Sequence, residues 1–371
     1  LPCLALASPS SRRVTPPLYS PFRPLSRPLA LPITHTPMQL CSRLRSRAPV
    51  LRCVRALSTL PEVPTESCSH LLAGRRPLDH RPGMMPGLGA IIEGVDLSAP
   101  FTDLEVEALL QASDEAGGIL VFPNQKPTFT IDEHLAFGRR LGVLEPHAVA
   151  LGLPGYPEVL EIVREPGAGV VFGEDWHSDN SFMKRTCSYS ILRATACMPR
   201  RGANDTMFAS TEAAYAALSP LMQERLQGLY AYHSAGKAYD GGSQTNSRAA
   251  MEATKSMQLN DKAPILKEDV LQPVVVAHPR TGRPSLFVSP TFTRHIHGMH
   301  LEESAALLEF LYKWIARPEF CTRVSWEPHQ VTMWDNRCLS HKGLADDVSE
   351  RRVVHRVSIR GTSPAPFQAQ H

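Results

Sequence analysis

The chain has 371 residues, enough for one large domain or two modest ones, with 39 Lys and Arg against 36 Asp and Glu. No apolar run approaches the roughly 18 residues that a membrane-spanning helix requires. The formal charge of +3 is unevenly placed: residues 1 to 60 hold nine Arg and no acid, and the remainder sets 30 basic side chains against 36 acidic ones. The basic balance belongs to the leading segment, so it gives no argument for a nucleic-acid partner, and none for a membrane.

Taken in chain order, residues 1 to 80 form the expected leader. It is rich in Arg, Ser and Pro, lacks a compact apolar core, and has the composition of an organelle transit peptide. Residues 38 to 60 carry five Arg among Leu and Val, which puts the mitochondrion ahead of a plastid; without a functional leader the expected location is the cytoplasm. Four of the eight cysteines (Cys3, Cys41, Cys53, Cys68) lie in or near this segment. The others, Cys187, Cys197, Cys321 and Cys338, form no C-x-x-C pair and read as reduced, small apolar residues.

The folded domain is expected over 81 to 371. A strand at 89 to 95 leads to a helix capped at Thr102 and running to about 116, with Leu104, Ala108, Leu109 and Ala112 at helical spacing. A buried strand follows at 118 to 122, a helix at 131 to 141, and strands at 159 to 163, 189 to 194 and 206 to 209. Short helices are expected at 211 to 217 and 220 to 228. Residues 235 to 268 have weak periodicity and read as a lid or binding loop. A Pro-Arg-Thr-Gly-Arg-Pro turn joins strands 274 to 277 and 286 to 288 as a hairpin. The helix at 301 to 316 has an apolar stripe, and strands follow at 321 to 326, 331 to 334 and 353 to 360. Many short strands with a few inserted helices point to a mainly β fold, a double-sheet jelly roll of the cupin-like kind. No G-x-G-x-x-G follows a strand, and no P-loop is present.

The chemistry centres on Trp176-His177-Ser178-Asp179. On an extended strand a His and an Asp two positions apart point to one side. With one distant His they make two imidazoles and a carboxylate, the ligand set of non-haem Fe(II) oxygenases. Fifteen histidines offer many distant partners, and His278, His295, His297, His300, His329 and His355 all remain candidates on residue type alone. His341 is set apart by its surroundings: Trp334-Asp335-Asn336-Arg337 before it, Arg352 and Arg356 after it.

That block, with Trp-His-Ser-Asp-Asn-Ser-Phe upstream, resembles the TauD/TfdA family of Fe(II)- and 2-oxoglutarate-dependent dioxygenases, from about residue 89 to the C-terminus. The resemblance implies that His177, Asp179 and His341 hold Fe(II), with 2-oxoglutarate and O2 as co-substrates. It implies that Arg352 grips the far carboxylate of 2-oxoglutarate, as a planar, permanently charged fork suits a carboxylate better than Lys does. A Thr from the family's Gly-Gly-Asp-Thr segment would assist; here Gly202-Ala203-Asn204-Asp205-Thr206 carries one extra residue, and Thr206 is the expected counterpart. His147 and Arg356 match positions that hold an anionic substrate head group. Gly173 stands where taurine-oxidising members have a substrate-contacting Asn, which argues against taurine and leaves sulfonates, sulfate esters and aryloxyalkanoates. Lys342, after the distal His, would add positive charge if it faced the pocket. The partner is thus a small anion, with self-association into a homo-oligomer left open. The competing readings are a jelly-roll protein that binds a metal or anion without catalysis, and a zinc hydrolase. The second would need a nearby general base and no 2-oxoglutarate clamp.

Overall fold

The computed structural model describes residues 69–168, 172–199, 202–242, 257–260 and 262–369. All fall within one of the chain's two units, Arg52–His371. The leader up to residue 68, and residues 243–256 of the expected lid, lie outside the described residues.

The strands are β1 (Gly74–Pro77), β2 (Ala90–Glu93), β3 (Ile119–Phe122), β4 (Val159–Arg164), β5 (Cys187–Ala194), β6 (Thr206–Ser210), β7 (Tyr230–Ser234), β8 (Asp269–Pro273), β9 (Val275–Ala277), β10 (Pro284–Leu286), β11 (Thr293–Ile296), β12 (Cys321–Val324), β13 (Val331–Asp335), β14 (Leu339–Gly343), β15 (Arg352–Arg360) and β16 (Ala365–Pro366). One seven-stranded sheet runs β1-β2-β3-β13-β5-β15-β4, with β2 and β3 its parallel pair. Three small antiparallel sheets complete the set: β12-β6-β14, β11-β7-β8 and β10-β9-β16.

Residues two apart on a strand share a face, and directly paired residues on neighbouring strands share it too. Ser190, Leu192 and Ala194 on β5 pair with Ser358, Arg356 and Val354 on β15. Leu192, Ala194 and Val354 pack against Phe208, Val324 and Leu339 from the sheet β12-β6-β14, with Trp326 and Trp334 filling the space between. The two sheets therefore face each other, as a jelly roll requires. On the outer face Ile191, Val331 and Met333 meet Leu109, Ala112 and Phe137 from two helices, Asp103–Glu115 and Ile131–Leu141. Both helices begin with a reciprocal capping box, Thr102 with Glu105 and Thr130 with Glu133, which explains why their starts were legible. The helix Leu301–Ile315 seals the other end by packing Leu308, Leu311 and Ile315 on Ala231, Val274 and Val275.

Two expectations need correction. The sheet starts before residue 81: β1 pairs along its length with β2, and Leu71 and Leu78 are buried. Residues 177 to 179 are not a strand. His177 makes one antiparallel bridge to His341, after which the chain turns, with Asn180 at φ 53°. Among the described residues no helix is long and apolar enough to cross a membrane.

Candidate active site

The bridge between His177 and His341 brings the two histidines together. Each backbone N–H donates to the other's carbonyl, at 3.0 and 2.7 Å, and the ring centroids lie 4.2 Å apart. The turn after His177 then swings Asp179 back beneath both rings. His177 Nε2 is 3.7 Å from Asp179 Oδ1, and His341 Nε2 is 3.8 Å from Oδ2. All three side chains are buried and their ligand atoms lie within 4.8 Å of one another. The structure brings together the three residues that the sequence reading grouped, but a bridge and a turn do the work it gave to strand alternation.

The donor set suits a divalent metal with open positions. His177 Nδ1 donates to the Asp175 carbonyl at 2.7 Å, which fixes the proton there and leaves the Nε2 lone pair free. Burial holds the His177 pKa low, and burial together with neighbouring His177 holds His341 lower still, so both rings are neutral ligands. Burial pushes the Asp179 carboxyl upward, but the Arg356 guanidinium, with the Ser190 hydroxyl bond, outweighs it and keeps the group ionised. His341 is further fixed by stacking on Phe208 at 5.7 Å and by the edge of Trp334 at 4.9 Å.

A hydrogen-bond relay anchors the carboxylate. Ser190 Oγ donates to Asp179 Oδ2 at 2.6 Å, and Asn336 Nδ2 donates to Ser190 Oγ at 2.9 Å. Asn336 Oδ1 accepts the Asp179 backbone N–H at 3.0 Å and the Trp334 indole N–H at 3.1 Å. Trp334 and Asp335 are buried and Arg337 is partly buried beside this relay. Asp335 is held by Arg337 and by His278 Nε2 at 3.0 Å. Asn336 and Ser190 are functional positions that sequence reasoning passed over. The Trp-Asp-Asn-Arg turn itself was the signal that could have found the first.

On β15 the four-residue spacing of Arg352 and Arg356 puts both on the inner face. Arg356 is 4 % exposed and its Nη1 pairs with Asp179 Oδ1. It lines a pocket over the metal centre together with His147, Phe172, Gly173, Tyr239 and Phe292. His147 Nδ1 accepts two backbone N–H groups, from Val149 at 3.2 Å and Ala150 at 2.8 Å. Its proton therefore sits on Nε2, and burial, then Arg356, push its pKa down to about 3. It is a neutral hydrogen-bond donor beside a cation. Phe172 and Phe292 were not singled out from sequence, because a buried Phe has no local mark that separates pocket from core. Tyr239 belongs to the described part of the expected lid, at the end of which Leu259 bridges Ala150. Lys342 does not line this pocket; its ammonium lies 5.8 Å over the Trp176 ring.

Arg352 points into the sandwich. Its guanidinium lies 5.9 Å over Trp326, whose indole N–H donates to Thr206 Oγ1 at 3.0 Å. Thr206 is 5 % exposed and opens β6 in regular register with Gly343 and Val324. With its oxygen accepting from Trp326, the Thr206 hydroxyl keeps its proton to donate. Arg352 Nε is buried without a partner.

The family model described as taurine catabolism dioxygenase TauD, TfdA family, matches residues 76–358. The chain belongs to this family. It is 32% identical over 289 residues to the alpha-ketoglutarate-dependent 2,4-dichlorophenoxyacetate dioxygenase of Cupriavidus pinatubonensis, covering 74% of this chain and 94% of that one. A taurine dioxygenase structure from Burkholderia xenovorans superposes with a TM-score of 0.61 at 28% identity, covering 78% of this chain and 92% of that one. The structure of AAD-2 in complex with Mn(II) and N-oxalylglycine matches with a TM-score of 0.59 at 25% identity, covering 78% and 98%. The protein is thus a jelly-roll, Fe(II)- and 2-oxoglutarate-dependent dioxygenase that acts on a small organic molecule. The zinc-hydrolase and non-catalytic readings are set aside.

Proposed function

We propose that the chain hydroxylates a small organic anion held between His147 and Arg356, with His177, Asp179 and His341 binding Fe(II) and with Arg352 and Thr206 binding 2-oxoglutarate. The observation that carries this reading is the pair of arginines four residues apart on one face of β15, Arg356 against the His-Asp-His cluster and Arg352 over Trp326, which bonds Thr206. One reaches toward Thr206, the other toward Asp179 and His147.

Iron, when bound, would supply the oxidative chemistry by which O2 gives one oxygen atom to 2-oxoglutarate, yielding succinate and CO2, and the other to a substrate C–H bond. The chain's own residues do the positioning. Arg352 offers a planar fork to the distal carboxylate and Thr206 a hydroxyl donor. Arg356 and the His147 Nε2–H present a cation and a neutral donor to the substrate head group. Phe172, Tyr239 and Phe292 give the remaining pocket wall an apolar lining and keep water from the reacting carbon. Named relatives act on an aryloxyacetate and on taurine, a carboxylate and a sulfonate, and this supports an anionic head group here. A succinate-release screen over sulfonates, sulfate esters and aryloxyalkanoates tests the reading. Arg356→Ala should abolish substrate-dependent succinate release while 2-oxoglutarate still binds; full turnover in that variant would overturn the head-group assignment. The acid-free, Arg-rich composition of residues 1 to 60 supports delivery to an organelle, the mitochondrion first, which an import assay with isolated mitochondria checks.

A further inference from the structure

Arg164 on β4 is the direct cross-strand partner of Arg352 on β15, so the two side chains share the inner face of the sheet. Arg164 is 4 % exposed. Its Nη1 donates to Asn204 Oδ1 and its Nη2 to the Glu350 carbonyl at 3.2 Å, while Nε has no partner. Asn204 Nδ2 and Arg352 Nε are likewise buried donors with no acceptor. Asn204 lies directly before Asp205 and Thr206, on the approach to β6. Its contact with Arg164 thus reaches the threshold of the co-substrate site.

Asp347, Glu350 and Asp205 lie near enough to act on these cations but do not close on them. Among the described residues neither guanidinium has a carboxylate within ion-pair distance. The nearby Asp205 is engaged through Oδ2 by Arg323, by Arg81 at 3.4 Å and by Ser325 at 2.9 Å. Burial, then repulsion from Arg164, push the Arg352 guanidinium down to about 10. Two adjacent buried cations with unsatisfied N–H groups are costly unless an anion joins them.

We propose that Arg164 is a second arginine of the co-substrate site, sharing the distal carboxylate of 2-oxoglutarate with Arg352. This rests on the placement of 2-oxoglutarate at Arg352. The expected consequence is selectivity: the second cation favours a dicarboxylic 2-oxo acid over one that ends in a methyl group.

The test compares dissociation constants of 2-oxoglutarate and 2-oxopentanoate, which has the same chain length without the distal carboxylate, on the anaerobic Fe(II)-loaded full chain. Arg164→Met and Arg164→Gln should shrink the ratio of the two constants by at least about tenfold, the scale of a lost charge-assisted pair. Arg164→Lys should keep it within about threefold. Iron affinity should not move in any of them. The Gln variant retains an amide donor toward Asn204 and supplies folded protein should the Met variant fail to fold. If both oxo acids weaken equally, Arg164 merely braces the turn and the proposal is overturned. If the ratio holds in the Arg164 variants but falls in Arg352→Met, Arg164 is excluded while the reading of Arg352 stands. An unchanged ratio in Arg352→Met would remove the placement of the co-substrate, and Arg164 with it.

Discussion

Replacing Asn336 with Ala would probe how the metal carboxylate is held. Asn336 is 2 % exposed, and its amide satisfies the Asp179 backbone N–H, the Trp334 indole N–H and the Ser190 hydroxyl. Truncation leaves two buried N–H donors unpaired at about 1 to 3 kcal/mol each, before any water enters the space left behind. A net loss of about 3 kcal/mol corresponds to a fall in Tm of roughly 6 °C in a domain of this size. The functional effect is separate from the structural one. Ser190 loses the partner that orients its hydroxyl toward Asp179 Oδ2, and outer partners of this kind are worth about 10- to 100-fold in metal affinity. Fe(II) or Mn(II) titration of the variant measures the second effect and a thermal melt the first. Ser190→Ala removes the bond to Asp179 and the acceptor of Asn336 Nδ2, and should weaken metal binding by about tenfold with a loss of about 1 to 3 kcal/mol in stability. Undiminished metal affinity in Asn336→Ala would refute the idea that this relay sets the position of Asp179.

Three further outcomes follow from the same geometry. Buried His134 and His233, each pushed down to about 3 chiefly by burial, stay neutral in the fold but protonate near 6.5 once unfolded. Their stability is complete above pH 6.5 and declines as pH falls toward 3; at pH 5 the two together forfeit about 4 kcal/mol, seen as a drop in Tm between pH 7 and 5. Gly173 has φ +76°, and an added Cβ would lie 3.4 Å from His177 Cε1, so Gly173→Ala should cost about 1 to 2 kcal/mol in a melt, whereas Gly173→Asn should cost less because Asn tolerates left-handed backbone. Lys342→Gln should leave KM for the oxidised substrate within about twofold, since its ammonium rests on Trp176 and contributes only about 0.5 to 1 kcal/mol there; a KM raised tenfold would put Lys342 in the pocket after all.

The parts of the fold with strong local chemistry were readable from sequence. Capping boxes at Thr102 and Thr130 fixed two helix starts, and the turn at 279 to 284 gave the β9-β10 hairpin. β14 was not readable. Leu-Ser-His-Lys-Gly is short, polar and ends in Gly, and it becomes a strand because it pairs with β6 and bridges His177. β7 and β8 were missed for a related reason: each is held by its neighbour, and β8 reads Asp-Val-Leu-Gln-Pro. The metal triad was legible because the Trp-Asp-Asn-Arg turn, His341, Arg352 and Arg356 follow one another within a short stretch of chain. Arg164 was not, because its meaning depends on which residue of β15 lies across from it.

The central claim is that His177, Asp179 and His341 hold an iron that shares 2-oxoglutarate with Arg352. Anaerobic addition of Fe(II) and then 2-oxoglutarate should produce a visible charge-transfer band in the unaltered protein. The band should vanish in Asp179→Ala, and in Arg352→Ala it should require much higher 2-oxoglutarate. Folded, unaltered protein that binds both components and shows no band would contradict the account.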